Sequence, residues 1–185
     1  MNQKYKLVPF AKDEVLSGLT LDAHVECQGG RLKIEYFCEG AGDKVLFSPK
    51  EKAPKRKDEL YKKTCFEFFL RAENGHYMEW NFSPSQEWCS FFFKGYRDRV
   101  QEKDLERLAP EDITFVAKGK KVSLSAEIDL QYFFDNFFKA ETKFSMALTA
   151  VIQKKDGICG YWALKHSNPI KADFHHPQSF VDSPF

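Results

Sequence analysis

The sequence predicts an all-β fold, an antiparallel jelly-roll-like β-sandwich with one or two short helices. Short runs in which apolar and polar residues alternate recur along the chain, and turn residues separate them. The chain contains 19 phenylalanines but only 3 methionines, which favours a layered β core over a helical bundle. Stretches with helical periodicity are few and short, so we expect helices to play a minor part.

The strands are predicted from these alternating runs. Residues 31–39 are the most regular, because apolar side chains alternate with charged ones and the pair Gly29-Gly30 supplies the preceding turn. The pair Asp156-Gly157 predicts a hairpin turn late in the chain. The remaining strands are predicted at residues 64–70, 76–82, 88–93, 113–117, 121–128, 146–153 and 160–166.

Two short helices and one basic loop are predicted between the strands. Residues 129–138 begin with Asp129, a residue that favours helix starts, and residues 102–108 form a second helical stretch that ends near Pro110. Residues 50–63 hold seven basic and three acidic side chains. We interpret them as a solvated loop rather than a nucleic-acid contact, because the chain as a whole is nearly neutral.

Composition and charge argue against several classes of function. A chain of 185 residues suits one domain, predicted to span 1–185. The formal net charge of +1 gives no support for a nucleic-acid or anionic-membrane partner. The five cysteines form no CxxC pair, which favours free thiols in a reducing compartment. No apolar run resembles a signal peptide or a membrane helix, so the predicted location is cytoplasmic. The oligomeric state stays open.

The stretch TCFEFFLRAENGHYMEWNFSP, residues 64–84, predicts a hairpin whose register can be worked out. A two-residue Asn-Gly turn would place Glu67 among aromatic side chains. A three-residue loop with Gly75 as a left-handed bulge instead places Glu67 opposite Asn81 and Glu79 opposite Phe69. Because a one-residue shift moves every side chain to the other face, only the bulged loop keeps the apolar sets together, and we predict it.

This register predicts a polar patch of Glu67, Glu79 and Asn81, bordered by Phe69 and Tyr77. Carboxylates and amides beside aromatic surface suit sugar recognition, because hydroxyls form charge-assisted hydrogen bonds and the apolar face of a sugar ring stacks on an aromatic ring. Two alternatives stay open. The patch is an ordinary solvent face of the sheet, or its acids pair with nearby arginines.

Six stretches together carry a resemblance to a known family. They are, in chain order, KDELYKKTCFEFFL, MEWNFSPSQEW, FKGYR, LTAVIQ, GYWALKH and ADFHHPQSF. Over about residues 57–180 the chain resembles the bacterial DOMON-like proteins, which are similar to the family 9 carbohydrate-binding modules of the wider DOMON superfamily. The resemblance implies a jelly-roll-like β-sandwich that binds a ligand, with sugar or haem known in the superfamily, and it implies no catalysis. The chain departs from the family pattern at Tyr61, often Trp, and Ala172, usually Pro.

The resemblance and the residues together predict a ligand site. The recurring polar and aromatic positions of the family fall on Thr64, Glu67, Glu79, Asn81, Ser83, Trp88, Tyr96, Arg97, Tyr161, Trp162, His166, Asp173, His175 and His176. The predicted ligand-binding set is Glu67, Glu79, Asn81, Trp88, Arg97, Tyr161 and His166, with no catalytic or metal residue. Arg97 is suited to orienting a hydroxyl or carboxylate, and Trp88 or Tyr161 to stacking. Tyr161 and Trp162 are neighbours on a strand, so only one can face a given pocket.

Our leading hypothesis is a non-catalytic module that binds a sugar or sugar-like small molecule, and other functions stay open. An enzyme of sugar or cell-wall metabolism would use Glu67 and Glu79. A haem site would use Met78 and a histidine, although Met78 falls on the predicted core face and no CxxCH motif occurs. A protein-interaction module would use residues 50–63. No cofactor is predicted, with calcium or haem as the alternatives, and His175 and His176 are interpreted as structural.

Overall fold

Antiparallel strands form nearly all of the regular structure in the computed structural model, which describes residues 2–101, 105–138 and 143–184. The strands are β1 (Asn2–Pro9), β2 (Thr20–Gln28), β3 (Arg31–Glu39), β4 (Cys65–Ala72), β5 (Tyr77–Phe82), β6 (Trp88–Phe93), β7 (Arg99–Val100), β8 (Asp112–Lys118), β9 (Lys121–Asp129), β10 (Phe144–Gln153), β11 (Cys159–Ala163) and β12 (Val181–Asp182). The described helices are α1 (Gln131–Phe137) and the 3-10 helices Leu60–Lys62, Leu105–Leu108 and Pro177–Ser179.

The strands hydrogen-bond in the order β7-β6-β5-β4-β10-β11-β1-β2-β3-β9-β8, and β12 pairs with β10. This sheet curls into two packed layers. We call β7-β6-β5-β4-β10-β11 the front layer and β1-β2-β3-β9-β8 the back layer. Strand β1 joins them, because it pairs with β2 along most of its length and with β11 at Val8 and Pro9. The predicted all-β antiparallel sandwich is confirmed.

Apolar side chains from both layers meet in one core. Phe68 and Trp80 of the front layer stack with ring centroids 5.7 Å apart, and Phe133 of α1 contacts Trp80 edge-on at 5.7 Å. Ile34 and Leu124 of the back layer are fully buried in the same cluster. Burying one such side chain contributes about 1.5–3 kcal/mol. The alternation of β4 and β5 therefore points one whole set of side chains inward and leaves the other set on the outer face.

The predicted register of the β4–β5 hairpin is confirmed. Glu67 pairs with Asn81, and Phe69 pairs with Glu79. The loop closes with the Ala72 N–H donating to the carbonyl of His76 at 2.9 Å. Its glycine, Gly75, has φ +88, as the left-handed bulge requires.

Most of the other predicted strands are confirmed within one or two residues, and residues 154–157 form the predicted hairpin turn. Strand β11 ends at Ala163, three residues before the predicted end. Strands β1, β2, β7 and β12 were not predicted. Lys4, Lys6 and Glu26 lie in β1 and β2, where charged side chains partly mask the alternation.

The first predicted helix is shorter than predicted, and the second lies partly outside the described residues. α1 begins two residues after Asp129, whose carboxylate accepts a 2.8 Å hydrogen bond from the Gln131 N–H. The second predicted helix is a 3-10 turn, Leu105–Leu108, and residues 102–104 lie outside the described chain. None of the described helices is long and apolar enough to cross a membrane. Cys38, Cys65, Cys89 and Cys159 carry free thiols, and the first three of them are buried.

Residues 50–63 form a loop, as predicted, with one 3-10 turn near its end. The loop runs beside β6, where Trp88 accepts a backbone hydrogen bond from Lys57 and donates one to Lys55. Both lysine side chains approach the buried carboxylate of Glu87, at 2.9 Å from Lys57 and 3.6 Å from Lys55. These ion pairs attach the loop to the front layer.

Candidate functional site

The outer face of the front layer divides into two halves. One half is covered by residues 172–180, which we call the strap. Phe180 packs edge-on against Phe69 and Tyr77 at 6.1 and 5.9 Å, and His175 packs against the same two rings. Phe69 and Tyr77 are therefore buried under the strap. Phe69 and Tyr77 lie beside Glu79 on the outer face, as the predicted register requires, but the strap covers them. This cover was not predicted, because the covering segment lies about 100 residues further along the chain.

Polar contacts hold the strap in place. The Asp173 carboxylate accepts hydrogen bonds from the Tyr96 hydroxyl at 2.5 Å and from the Arg97 guanidinium at 2.9 Å. Burial raises the pKa of Asp173, but these bonds outweigh it and bring the pKa below its ordinary value. The Tyr77 hydroxyl accepts from the Arg97 N–H at 3.1 Å and lies 2.8 Å from Nδ1 of His175. Arg97 thus anchors the strap, and the alternative in which it pairs with Glu67 is not what the structure shows.

The other half of the outer face is an open cleft of about 410 Å³. Its lining combines two carboxyl groups, two arginines and several aromatic rings. The lining residues are Tyr61, Glu67, Glu79, Phe91, Phe93, Arg97, Arg99, Val151, Tyr161, Ala172, Phe174 and His175. A concave surface with a few polar groups among aromatic side chains is typical of a small-molecule site.

Glu67 and Glu79 form the floor of the cleft, with only 2% and 5% of each residue exposed. Oε2 of Glu67 accepts from the Thr149 hydroxyl at 2.9 Å, and Oε1 of Glu79 accepts from the Asn81 amide at 2.6 Å. Each carboxyl group has a second oxygen that accepts no hydrogen bond within the described chain. Those two oxygens are the groups that the site offers to a ligand.

Neither floor glutamate pairs with an arginine or lysine within salt-bridge distance among the described residues. Burial is the main cause that raises the pKa of both groups, and the repulsion of Glu79 raises the pKa of Glu67 further. The hydrogen bond from Asn81 and the charges of Arg97 and Arg99 offset part of the rise at Glu79. The pair therefore retains protons at a pH where exposed carboxyl groups have lost theirs.

His175 lies beside the floor as a neutral group. Its Nε2 is 3.7 Å from Oε2 of Glu79, and burial lowers the pKa of the imidazole to about 4. At neutral pH the ring therefore contributes no positive charge to Glu79. His176 is half-buried and its Nδ1 accepts from the Gln178 N–H at 3.2 Å, which supports the structural interpretation of that residue.

Two exposed tyrosines stand at one end of the cleft. Tyr61 lies in the 3-10 helix Leu60–Lys62 and is 46% exposed. Tyr161 lies in β11 and is 39% exposed. Trp162 points the opposite way into the core, as expected for neighbours on a strand. Exposed aromatic rings on a cleft wall can stack on the apolar face of a bound ring.

The structure brings Glu67, Glu79, Arg97 and Tyr161 together and places three other predicted site residues elsewhere. Asn81 is fully buried and acts through its bond to Glu79. Trp88 pairs with Phe82 and points into the core. The prediction that it stacks on a ligand is therefore wrong, because alternate side chains of β6 point to opposite faces and Trp88 is on the core face. His166 is not a lining residue, and its Nε2 bonds the carbonyl of Val8 at 2.9 Å.

Several lining residues were not predicted from the sequence, although strand pairing could have placed some of them on the outer face. Phe91 and Phe93 point to the opposite face of β6 from Trp88. They pair with Glu79 and Tyr77, so the register of β6 would have placed them on the outer face. Arg99 and Tyr61 carried no such signal, because they lie in a two-residue strand and a single 3-10 turn.

The described residues contain no group of three His, Cys, Asp or Glu side chains arranged to hold a metal ion. Met78, considered as a haem ligand, is fully buried on the core face. The chemistry that the cleft offers is hydrogen bonding by the two carboxyl groups, charge from the arginines and stacking on the tyrosines.

No protein-family model matches the chain, and no curated protein matches it either. Solved structures do match. A candidate carbohydrate-binding protein from Bacteroides uniformis superposes with a TM-score of 0.67 at 14% identity, covering 96% of this chain and 84% of that one. A family 9 carbohydrate-binding module from Caldicellulosiruptor kristjanssonii superposes in its glucose complex with a TM-score of 0.56 at 7% identity, covering 90% and 75%. Its cellotriose complex gives the same score and identity, with 90% and 74% covered.

At these identities the likeness establishes the fold. The β-sandwich that the resemblance implied is therefore confirmed, and membership of the DOMON-like proteins remains a prediction. The chain is similar over most of its length to modules whose solved complexes contain glucose and cellotriose.

Proposed function

We propose that this protein is a non-catalytic carbohydrate-binding module. The observation that carries the proposal is the pair Glu67 and Glu79 on the floor of an open cleft, each with one carboxyl oxygen free, beside the exposed rings of Tyr61 and Tyr161. Sugar hydroxyls would bond the free oxygens, while a sugar ring would stack on a tyrosine. The likeness to carbohydrate-binding modules supports the same function. The cytoplasmic location remains part of the proposal.

Calorimetry against a broad panel of neutral and acidic saccharides tests this function. We expect at least one sugar to bind, and Glu79→Ala to weaken that binding by about 5- to 100-fold, because leaving one partner of a buried hydrogen bond unsatisfied costs about 1–3 kcal/mol. Glu26→Ala, which removes an exposed acid from the back layer, is the matched control and should bind like the parent protein. Absence of binding across the panel would overturn the proposal.

The raised pKa values of the floor glutamates favour a second candidate function, a glycoside-cleaving enzyme. Glu67 and Glu79 are diagonal neighbours across β4 and β5, and a carboxyl group that stays protonated near neutral pH is what a general acid needs. Hydrolysis of a chromogenic glycoside that Glu67→Gln abolishes would establish the enzyme. Binding without any turnover would favour the non-catalytic module.

A further inference from the structure

Counting the partners within residues 2–101, 105–138 and 143–184, Arg99 is the least neutralised charge on the cleft wall. It lies in β7 opposite Phe93, which points its side chain toward the cleft, and 48% of that side chain is exposed. Its Cζ stands 4.0 Å from the centroid of the Phe91 ring. Among the residues that the structure describes, its carboxylate partner is Asp58, 3.9 Å from its Nη2, which is at the limit of an ion pair. Stacking on Phe91 orients the guanidinium without using its N–H groups.

Two neighbouring arginines are already engaged. Arg97 donates to Asp173 at 2.9 Å and holds the strap. Arg56 lies 2.8 Å from the carboxylate of Asp58, so that carboxylate is mainly committed to Arg56 rather than to Arg99. Arg99 therefore keeps more hydrogen-bonding capacity and more uncompensated charge than either neighbour.

The position of Arg99 gives the cleft two unlike ends. Arg99 stands on β7, at the edge of the front layer, and Tyr161 stands on β11, five strands along. Glu79 on β5 and Glu67 on β4 lie between them. Arg99 also lines an adjoining cavity of about 390 Å³, whose other charged lining residues are Arg56, Asp58 and Glu106, so a group carried by a bound ligand has room at that end.

We propose that the ligand is an acidic saccharide, a sugar that carries a carboxylate, and that Arg99 binds the carboxylate. This inference rests on the proposed carbohydrate-binding function and specifies its substrate class. One ring of an oligosaccharide stacks at the Tyr161 end, hydroxyls along the saccharide bond the free oxygens of Glu67 and Glu79, and a carboxylate on another ring meets the planar fork of Arg99.

The acidic floor does not prevent this arrangement. Burial raises the pKa of Glu67 and Glu79, so the pair keeps protons near neutral pH and repels an anion less than two carboxylates would. A protonated carboxyl group can also donate to a ligand oxygen. The positive charge at the Arg99 end then decides which ligands the cleft prefers.

Matched pairs of oligosaccharides test the inference by calorimetry: cellobiose with cellobiouronic acid, and cellotriose with the trisaccharide that carries a terminal uronic acid. We expect the acidic member of at least one pair to bind about five- to tenfold more tightly at low salt, and raised ionic strength to reduce that preference. Arg99→Gln should abolish the preference and Arg99→Lys should retain part of it. Arg31→Gln, an exposed arginine of the back layer, should leave it unchanged.

The outcomes separate this inference from the proposed function. Neutral sugars that bind as tightly as their acids, or a preference that survives in Arg99→Gln, would overturn the inference and leave the carbohydrate-binding module standing. Failure of every neutral and acidic sugar to bind would overturn both.

Discussion

Trp80 and Glu79 are neighbours on β5, yet they lie in two different environments. Trp80 points into the core between the layers, where its ring stacks on Phe68 and its indole N–H donates to the carbonyl of Leu108 at 3.2 Å. Glu79 points to the outer face, where its second oxygen opens into the cleft. Both residues are almost fully buried. Low exposure therefore does not distinguish a core position from a binding position. The groups that surround each side chain make that distinction.

The outer face of the front layer also contains both kinds of environment, an apolar cluster and an open cleft. Under the strap, Phe69, Tyr77 and Phe180 form a small second apolar cluster. Glu79 pairs directly with Phe69, and Glu67 lies two residues before Phe69 on β4, yet both carboxyl groups line the cleft. The strap thus determines which part of the face adds to stability and which part stays available to a ligand.

The largest expected effect comes from the core side. Trp80→Ala should lower the free energy of unfolding by about 3–5 kcal/mol, because it leaves a cavity and removes the partner of the Leu108 carbonyl. Chemical denaturation measures the change. Trp80→Phe should lose less, about 1–2 kcal/mol, since it keeps most of the packing.

On the other face, Glu79→Gln should change the free energy of unfolding by less than about 1 kcal/mol near pH 4.5, where Glu79 is protonated in the folded chain, because an amide keeps the volume and still accepts the bond from Asn81. An equal loss of stability in Glu79→Gln and Trp80→Ala would show that the two faces do not differ as described.

A smaller effect is expected at the strap. Asp173→Ala removes the acceptor of Tyr96 and Arg97 and should destabilise the protein by about 1–3 kcal/mol. Hydrogen exchange should become faster in residues 172–180 and in the strands beneath them. Asp182→Ala, at an exposed position of β12, is the control. Unchanged exchange under the strap in Asp173→Ala would mean that packing alone holds it.

The smallest effect is a dependence of stability on pH that comes from the cleft floor. The pKa of Glu67 is raised to about 8 and that of Glu79 to about 7, from ordinary values of 4.5. The folded chain then binds more protons than the unfolded chain, so stability falls as pH rises toward the raised values. Between about pH 6.5 and pH 8 we expect a loss of about 1 kcal/mol per pH unit, measured by chemical denaturation.

In the range from about pH 6.5 to pH 8, the other described groups with shifted pKa values do not add to the effect of Glu67 and Glu79. His175, whose pKa is lowered to about 4, titrates below it, and there its effect has the opposite sign. The buried thiols, with raised pKa values, act above it. The double variant Glu67→Gln, Glu79→Gln should flatten the slope. A slope that is the same in both proteins would show that other groups cause it.

Much of the hairpin could be derived from the sequence. Alternation along β4 and β5 predicted two faces, and the need to keep phenylalanines together selected the bulged loop at Gly75 and the pairing of Glu67 with Asn81. The same reasoning predicted a sandwich and placed Met78 in the core. These features depend on residues within one hairpin, where parity and turn geometry leave few arrangements.

The sequence by itself thus determined the fold class, the register of the central hairpin and the face that carries Glu67 and Glu79. The tertiary structure decided what that face becomes. It brought the strap over Phe69, set Tyr61 and Tyr161 at one end of the cleft and Arg99 at the other, and turned Trp88 inward. Pleating is a local property that the order of residues encodes directly, whereas a cleft is formed by segments far apart in the chain that meet only when the layers pack.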